Sequence, residues 1–292
     1  MPSGILLGVA TAISWGSSDF FARFASRTVG SVRAVLGMQA WGALFVTILL
    51  VFSRDWGHLF DGSGWRPWAW GILAGVITTF GVLALYRSFE IGKLALVGPV
   101  SASYPALTVI LSFFSGERLT AFRIIGILAA MAGVLLVATG EKNSVHPDTA
   151  AKSTGAAGLA WAIAAALAFG ILFWLLGTRI IPRTGVLAAL WLIRITGAAI
   201  AFAIVVAQKI PLRIKNRRAS AQVYTMGFFD TAGFAFSNLG MRIEQVAVVS
   251  VLGSLYGAVT VAFAAIFLKE RVAFLQWLGI ASIFVGVALM NA

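Results

Sequence analysis

Cysteine is absent from this sequence, histidine occurs twice, and charged residues make up only 11% of it. Without thiols there is no disulfide, thiolate metal site or cysteine nucleophile. His58 and His146 both fall in polar stretches, so neither a Ser–His dyad nor a histidine metal cluster can form inside the apolar ones. No P-loop is present, which leaves out ATP as a drive. Acids are scarce as well, ten against 22 Lys and Arg, for a net charge of +12. In a soluble domain that surplus would point to nucleic acid. Here the cations are scattered two or three to a loop, as a topology signal is, and no nucleic-acid partner is expected.

What is present in excess is apolar surface. Hydrophobic residues make up 60% of the 292, against about 45–50% in an average soluble domain. A water-soluble globule cannot hide that much, whereas a bilayer accepts it at about 20 residues per spanning helix. The apolar runs are continuous and not alternating, which excludes a β-barrel. The first run lacks a basic leader and is long enough to span, so it is not expected to be a cleaved signal. Ten segments are predicted, at about 4–23, 35–52, 68–86, 94–114, 124–139, 155–177, 185–207, 221–240, 246–268 and 272–291.

A polar stretch at 141–154, with Glu141, Lys142, Pro147, Asp148 and Lys152, divides the chain near its middle. The two sides repeat each other. Gly126–Gly133 (GILAAMAG) matches Gly279–Gly286 (GIASIFVG), and Glu117-Arg118 matches Glu270-Arg271, both at an offset of 153. Tyr104 with Thr108 matches Tyr256 with Thr260 at 152, and Gly4 with Trp15-Gly16 matches Gly158 with Phe169-Gly170 at 154. The expected organisation is a five-helix half at 1–140, a linker at 141–154 and a second half at 155–292. Five is odd, so the halves must lie in opposite orientation. Such inverted repeats are a construction of secondary transporters, with the substrate site near the midplane between them. The fold class read from the sequence is an all-α membrane protein of ten transmembrane helices, two inverted repeats around a central cavity.

Ser14-Trp15-Gly16, Pro99-Val100-Ser101, Tyr104-Pro105, Gly116-Glu117-Arg118-Leu119 and Lys269-Glu270-Arg271 give the chain a resemblance to the drug/metabolite transporter superfamily, in particular its EamA-type group. The second half departs from that pattern: Gly257 stands where Pro105 would be, and Ala168-Phe169-Gly170 replaces Ser-Trp-Gly. The resemblance implies a monomeric multi-pass protein of a bacterial inner membrane. It also implies export of amino acids or drugs, or import of small metabolites such as choline. The partners expected are a small-molecule substrate, membrane lipid and protons.

Lys and Arg are more numerous after segments 1, 3, 5, 7 and 9 than after the even-numbered ones, chiefly through Lys209, Arg213, Lys215, Arg217 and Arg218. The positive-inside rule then places both termini outside. The resemblance implies the reverse.

Charges at membrane depth cost roughly 2.5–3.5 kcal/mol each on insertion scales, so each needs a reason. Arg194 and Asp230 sit near the middles of segments 7 and 8. They are read either as an ion pair or as leaving Asp230 for substrate or coupling. Asp19 lies in segment 1, four residues before Arg23. It is either a helical pair with that cation or a proton or cation site on a cavity wall, since a carboxylate shielded from water takes up protons more readily. Trp15 falls one turn back on the same face. Tyr86, Tyr104 and Tyr256 are three of only four tyrosines, and the repeat-equivalent pair Tyr104 and Tyr256 should meet across the pseudo-twofold axis. With Ser237 and Asn238 they complete the candidate binding set, the alternative being packing or an interfacial belt. Pro99 and Pro105 are expected to loosen segment 4, whereas segment 9 carries no proline. The GxxxG spacings Gly4–Gly8, Gly71–Gly75 and Gly253–Gly257 are read as helix-packing positions, and Glu117 and Glu270 as local ion pairs or caps of the next helix. Ser18-Asp19-Phe20 and Phe229-Asp230-Thr231 lack the glycine-flanked setting of an intramembrane aspartyl protease. No enzyme, cofactor or metal is expected.

Overall fold

The computed structural model describes residues 3–91, 100–140, 155–214, 216–268 and 274–291, and all regular structure among them is helical. The helices are α1 (Ser3–Val29), α2 (Ser31–Ser53), α3 (Arg66–Ile91), α4 (Tyr104–Phe114) and α5 (Ala121–Gly140) in the first half. The second half contains α6 (Gly155–Leu175), α7 (Val186–Ala207), α8 (Arg217–Ile243), α9a (Val246–Gly253), α9b (Tyr256–Leu268) and α10 (Phe274–Asn291). Helix α6 runs on through a π turn at Leu176–Ile180 and a last turn at Ile181–Thr184. Pro182 has no N–H for the carbonyl of Thr178, and wider turns are a usual answer to such a gap. Among the described residues, five helices are long and apolar enough to cross a bilayer, and four shorter apolar stretches accompany them. Helix α8 is also long enough at 27 residues, but Asp230, Ser237 and Asn238 make it the most polar.

Glycine contacts establish that the halves are inverted. A Cβ on Gly126 would meet the carbonyl of Gly286 at 2.7 Å, and one on Gly133 the carbonyl of Gly279 at 2.6 Å. The earlier glycine of α5 thus faces the later one of α10, so these repeat-equivalent helices run antiparallel in backbone contact. The centre repeats the arrangement. Gly42 of α2 faces Arg194 of α7, and Gly197 of α7 faces Gln39 of α2. Gly16 meets the carbonyl of Tyr256, and Gly170 that of Tyr104. Of the GxxxG glycines, Gly8, Gly71, Gly75 and Gly253 pack against neighbouring helices and Gly4 against Glu244 just past α8, but Gly257 has nothing within 4 Å.

Segment 9, predicted at about 246–268, is divided into α9a and α9b. Both α4 and α9 break just before their repeat-equivalent tyrosines. In the first half Ser103 Oγ donates to Val100 O at 2.7 Å; in the second Ser254 Oγ donates to Val251 O, also at 2.7 Å. A hydroxyl that takes the carbonyl three residues back competes with the helical ladder. Proline therefore is not required: Pro105 serves only the first half. Pro99 lies outside the described residues.

A second expectation is corrected at the end that carries the termini. Glu117 caps a helix of the opposite half and not the one that follows it. Its carboxylate accepts from Val246 N at 2.8 Å and Ala247 N at 3.2 Å, the first amides of α9a. Nearby Arg123 donates to Glu244 Oε1 at 2.8 Å, and Gln245 Nε2 donates to Arg118 O. These contacts close one end of the molecule with polar links between the halves. Glu270 and Arg271 lie outside the described residues.

Candidate functional site: a cavity between the halves

A cavity opens between the two halves. It offers about 90 Å³ to the centre of a water-sized molecule, within about 650 Å³ of free space that includes its mouth. A single water needs about 10–15 Å³ on that measure, so several waters or a small solute fit. Both halves contribute to the wall. Helix α1 brings Trp15, Ser18 and Asp19, and α3 brings Val82, Leu85 and Tyr86. Tyr104 and Tyr256 come from the breaks in α4 and α9, Phe169 and Phe173 from α6, and Asp230 and Phe234 from α8. Six of the seven predicted binding residues thus share one cavity. Asn238 does not line it: its side chain is fully buried elsewhere on α8, with neither amide atom partnered among the described residues. Ser237 is buried as well and also lies outside the lining.

The floor is aromatic. Trp15 packs against Phe173 at 5.5 Å and Phe234 at 5.2 Å between ring centres, and edge-on to Tyr256 at 6.5 Å. Gly233 makes room for the indole, since a Cβ there would stand 2.5 Å from it; Gly81 does the same for Phe169. Trp15 Nε1 is buried against Gly233 without a partner among the described residues. The Tyr104 hydroxyl makes only a long contact of 3.4 Å to Ser250 O. Asp19 stands exposed toward the mouth, and it and Asp230 are close enough to repel each other. The side chain of Arg23, its expected helical partner, lies outside the described residues.

Behind Asp230 lies the fully buried Arg194. Its Nη1 is 2.6 Å from Asp230 Oδ2 and donates to Gln39 Oε1 at 2.7 Å, and its guanidinium lies 4.9 Å from the Phe234 ring centre. The Asp230 contact is a charge contact without good hydrogen-bond alignment, as Oδ2 counts no hydrogen bond. Gln39 escaped the sequence reading. The offset that matched Trp15 to Phe169 nearly pairs Gln39 with Arg194, two polar residues in the middle of equivalent helices, and that signal was available. Phe173, the equivalent of Asp19, was missed because an apolar residue in a membrane helix carries no signal by itself.

The chain matches the model of the EamA-like transporter family over residues 2–139 and again over 156–292. It belongs to that family. As an EamA-like protein it is a multi-pass membrane protein of a group that transports small solutes. A relative described as an uncharacterized protein of Methanocaldococcus jannaschii is 28% identical over 138 residues, which is 47% of this chain and 97% of that relative. One half of the EamA-like chain therefore corresponds in length to nearly the whole of that relative. A solved crystal structure is similar with a TM-score of 0.76 at 19% identity, covering 98% of this chain and 96% of the other. At that identity the likeness speaks for the fold alone.

Proposed function

We propose that the protein moves small polar metabolites by alternating access of its two halves, with zwitterions of the amino-acid type as the first substrate class and export as the direction. The observation that carries this reading is the cavity itself, where three tyrosines, Trp15 and two carboxylates surround a space between inverted repeats. The faces of Trp15 and the tyrosines attract an ammonium group, and Asp19 and Asp230 supply opposite charge. The tyrosine hydroxyls can donate to a carboxylate. The halves act as units at 1–140 and 155–292, joined by 141–154.

The long loop between α7 and α8 lies at the end opposite the termini, and five cations fall at positions 209–218. By the positive-inside rule that end is cytoplasmic; Tyr86, near the last turns of α3, and Asp19, past the middle of α1, place the cavity lining toward it, so the cavity faces the cytoplasm and the termini lie outside. A reporter fused after Ala292 that fluoresces only in the cytoplasm is then dark; fluorescence reverses the orientation and leaves the site unchanged.

A second reading has its own support. Two carboxylates in one cavity suit a cationic compound, such as a quaternary amine, exchanged for protons at Asp19. Proteoliposomes loaded with radiolabelled candidates separate the two. Steep pH dependence of uptake that disappears in Asp19→Asn favours the cation reading. Transport of neutral amino acids that ignores both that change and a pH gradient removes Asp19 from coupling. Absence of transport of either class ends both readings.

A further inference from the structure

Contacts between the halves fall into two kinds when each is compared with its repeat-equivalent. In an inverted repeat the opposite access state arises when the two halves exchange conformations. A contact is then replaced by the one between the equivalent residues. It survives if its equivalent is itself, or already exists, and is lost if no equivalent can form. In α2 and α7 the repeat runs at an offset of 155, which pairs Gly30 with Gly185, Gln39 with Arg194 and Gly42 with Gly197. The hydrogen bond from Arg194 Nη1 to Gln39 Oε1, 2.7 Å, therefore maps onto itself. The notches beside it are matched too: Gly42 faces Thr231, and Gly197 faces Thr79, the equivalent of Thr231. Ala129 and Ser282 are equivalents at an offset of 153, and Ser282 Oγ donates to Ala129 O at 2.8 Å. That contact also maps onto itself.

The end that carries the termini is different. Arg123 Nη1 donates to Glu244 Oε1 at 2.8 Å, but the equivalents of these two residues are Gln276 and Gly92, which cannot form an ion pair. Gly30 and Gly185 share a positive φ, 83° and 94°, yet their surroundings differ. A Cβ on Gly185 would stand 2.9 Å from Gly57 Cα, whereas one on Gly30, at the basic end, would meet nothing within 4 Å. The same backbone turn is packed at one end and open at the other.

We propose that Gln39–Arg194 and Ala129–Ser282 form a fixed pivot kept through the whole transport cycle, and that the Arg123–Glu244 pair with the Glu117 cap is a latch that must break. The assignment rests on the reading of the cavity as an alternating-access site and deepens it by naming what stays and what moves. Gln39 and Arg194 are fully buried, and parting them at membrane depth would leave polar groups bare. The latch residues Arg123 and Glu244 keep 22% and 10% of their side chains exposed, so water replaces the contact as it opens. Because no ion pair takes its place at the basic end, the latch holds the resting protein open on that side.

Two cysteine pairs test this in a chain that has no cysteine of its own. Arg118→Cys with Gln245→Cys spans the latch, where Gln245 Nε2 donates to Arg118 O at 2.8 Å. Ala129→Cys with Ser282→Cys spans the pivot. Each pair is bridged in proteoliposomes by a short bis-methanethiosulfonate that a reductant removes. Uptake is followed with radiolabelled neutral amino acids, and with a radiolabelled quaternary amine as second probe. Bridging the latch is expected to abolish uptake until the reductant is added, and bridging the pivot to leave it unchanged. A pivot bridge that stops uptake reversibly overturns the proposal, as does a latch bridge that leaves it intact. A second measurement needs no substrate: Glu117→Ala with Arg123→Ala should slow bridging of the latch pair and not of the pivot pair. Equal effects on both pairs, or none on the latch, also overturn the proposal. Should that double variant fail to fold, Glu117→Ala alone takes its place. Absence of uptake in every preparation removes the transport reading, and the bridging rates then decide between pivot and latch by themselves.

Discussion

Gly233→Ala offers a direct probe of how the cavity floor is built. The added methyl would stand 2.5 Å from Trp15 Cδ1 and 2.6 Å from Nε1, whereas ordinary contact begins near 3.4 Å. The indole must retreat by about 1 Å, and core crowding of this kind costs about 1–3 kcal/mol. Phe173, Phe234 and Tyr256 press on its other sides, so the cavity is the only direction left. Replacing a helical glycine by alanine offsets about 0.8–1 kcal/mol of this, leaving a net loss of up to about 2 kcal/mol and a smaller cavity. Gly257→Ala is the matched control, since nothing lies within 4 Å of its Cβ position; it should be neutral or slightly stabilising. Thermal unfolding of the detergent-solubilised protein, followed by tryptophan fluorescence, compares the two. Equal midpoints for both variants would refute the packing assigned to Trp15.

Other consequences follow from the same geometry. Gly133→Leu should separate α5 from α10, because the Gly279 carbonyl is already 2.6 Å from the Cβ position; a lowered unfolding midpoint is expected, and an unchanged one argues against backbone contact there. Glu117→Ala removes the acceptor of two α9a amides and should cost about 1–2 kcal/mol. Cysteine scanning of α9a should then show faster labelling near Val246, and unchanged rates would mean the cap does not hold that end shut. In the loop between α2 and α3, hydrogen bonds from Ser63 and then His58 hold the Asp61 carboxyl at about 2, below its ordinary 3.8. A depressed value means that the contact contributes above the ordinary value and is lost as pH falls through about 2. Carboxyl NMR shifts of Asp61 should stay flat from neutral pH to about 4; a midpoint near 4 contradicts the contact.

The repeat was legible because close packing of inverted halves demands glycine at equivalent places, and Gly126, Gly133, Gly279 and Gly286 kept the offset visible. The polar half of the site was legible for a different reason. Asp19, Arg194 and Asp230 are costly in lipid, so their presence marks the place where protein or water replaces it. The aromatic floor was less legible: Phe169, Phe173 and Phe234 are unremarkable among 22 phenylalanines, and only folding distinguishes those facing a cavity from those facing lipid. The break in segment 9 left no proline to be read, since it rests on the Ser254 hydroxyl. Asn238 is polar and mid-helix like Asp230, yet its position on α8 leaves it outside the lining. Glu117 misled because a sequence shows the next helix and not the one across the pseudo-twofold axis.

Because the chain has no cysteine, single cysteines report without background. The most direct measurement introduces one at Tyr86 in the mouth and, separately, reference cysteines at Gln208 in the basic loop and at Ser115 at the closed end. An impermeant thiol reagent is then applied to each side of sealed vesicles. The account predicts that the Tyr86 position reacts from the side that labels Gln208 and is silent from the side that labels Ser115. Labelling from the Ser115 side, or from neither, contradicts a cavity between inverted halves that opens toward the basic end.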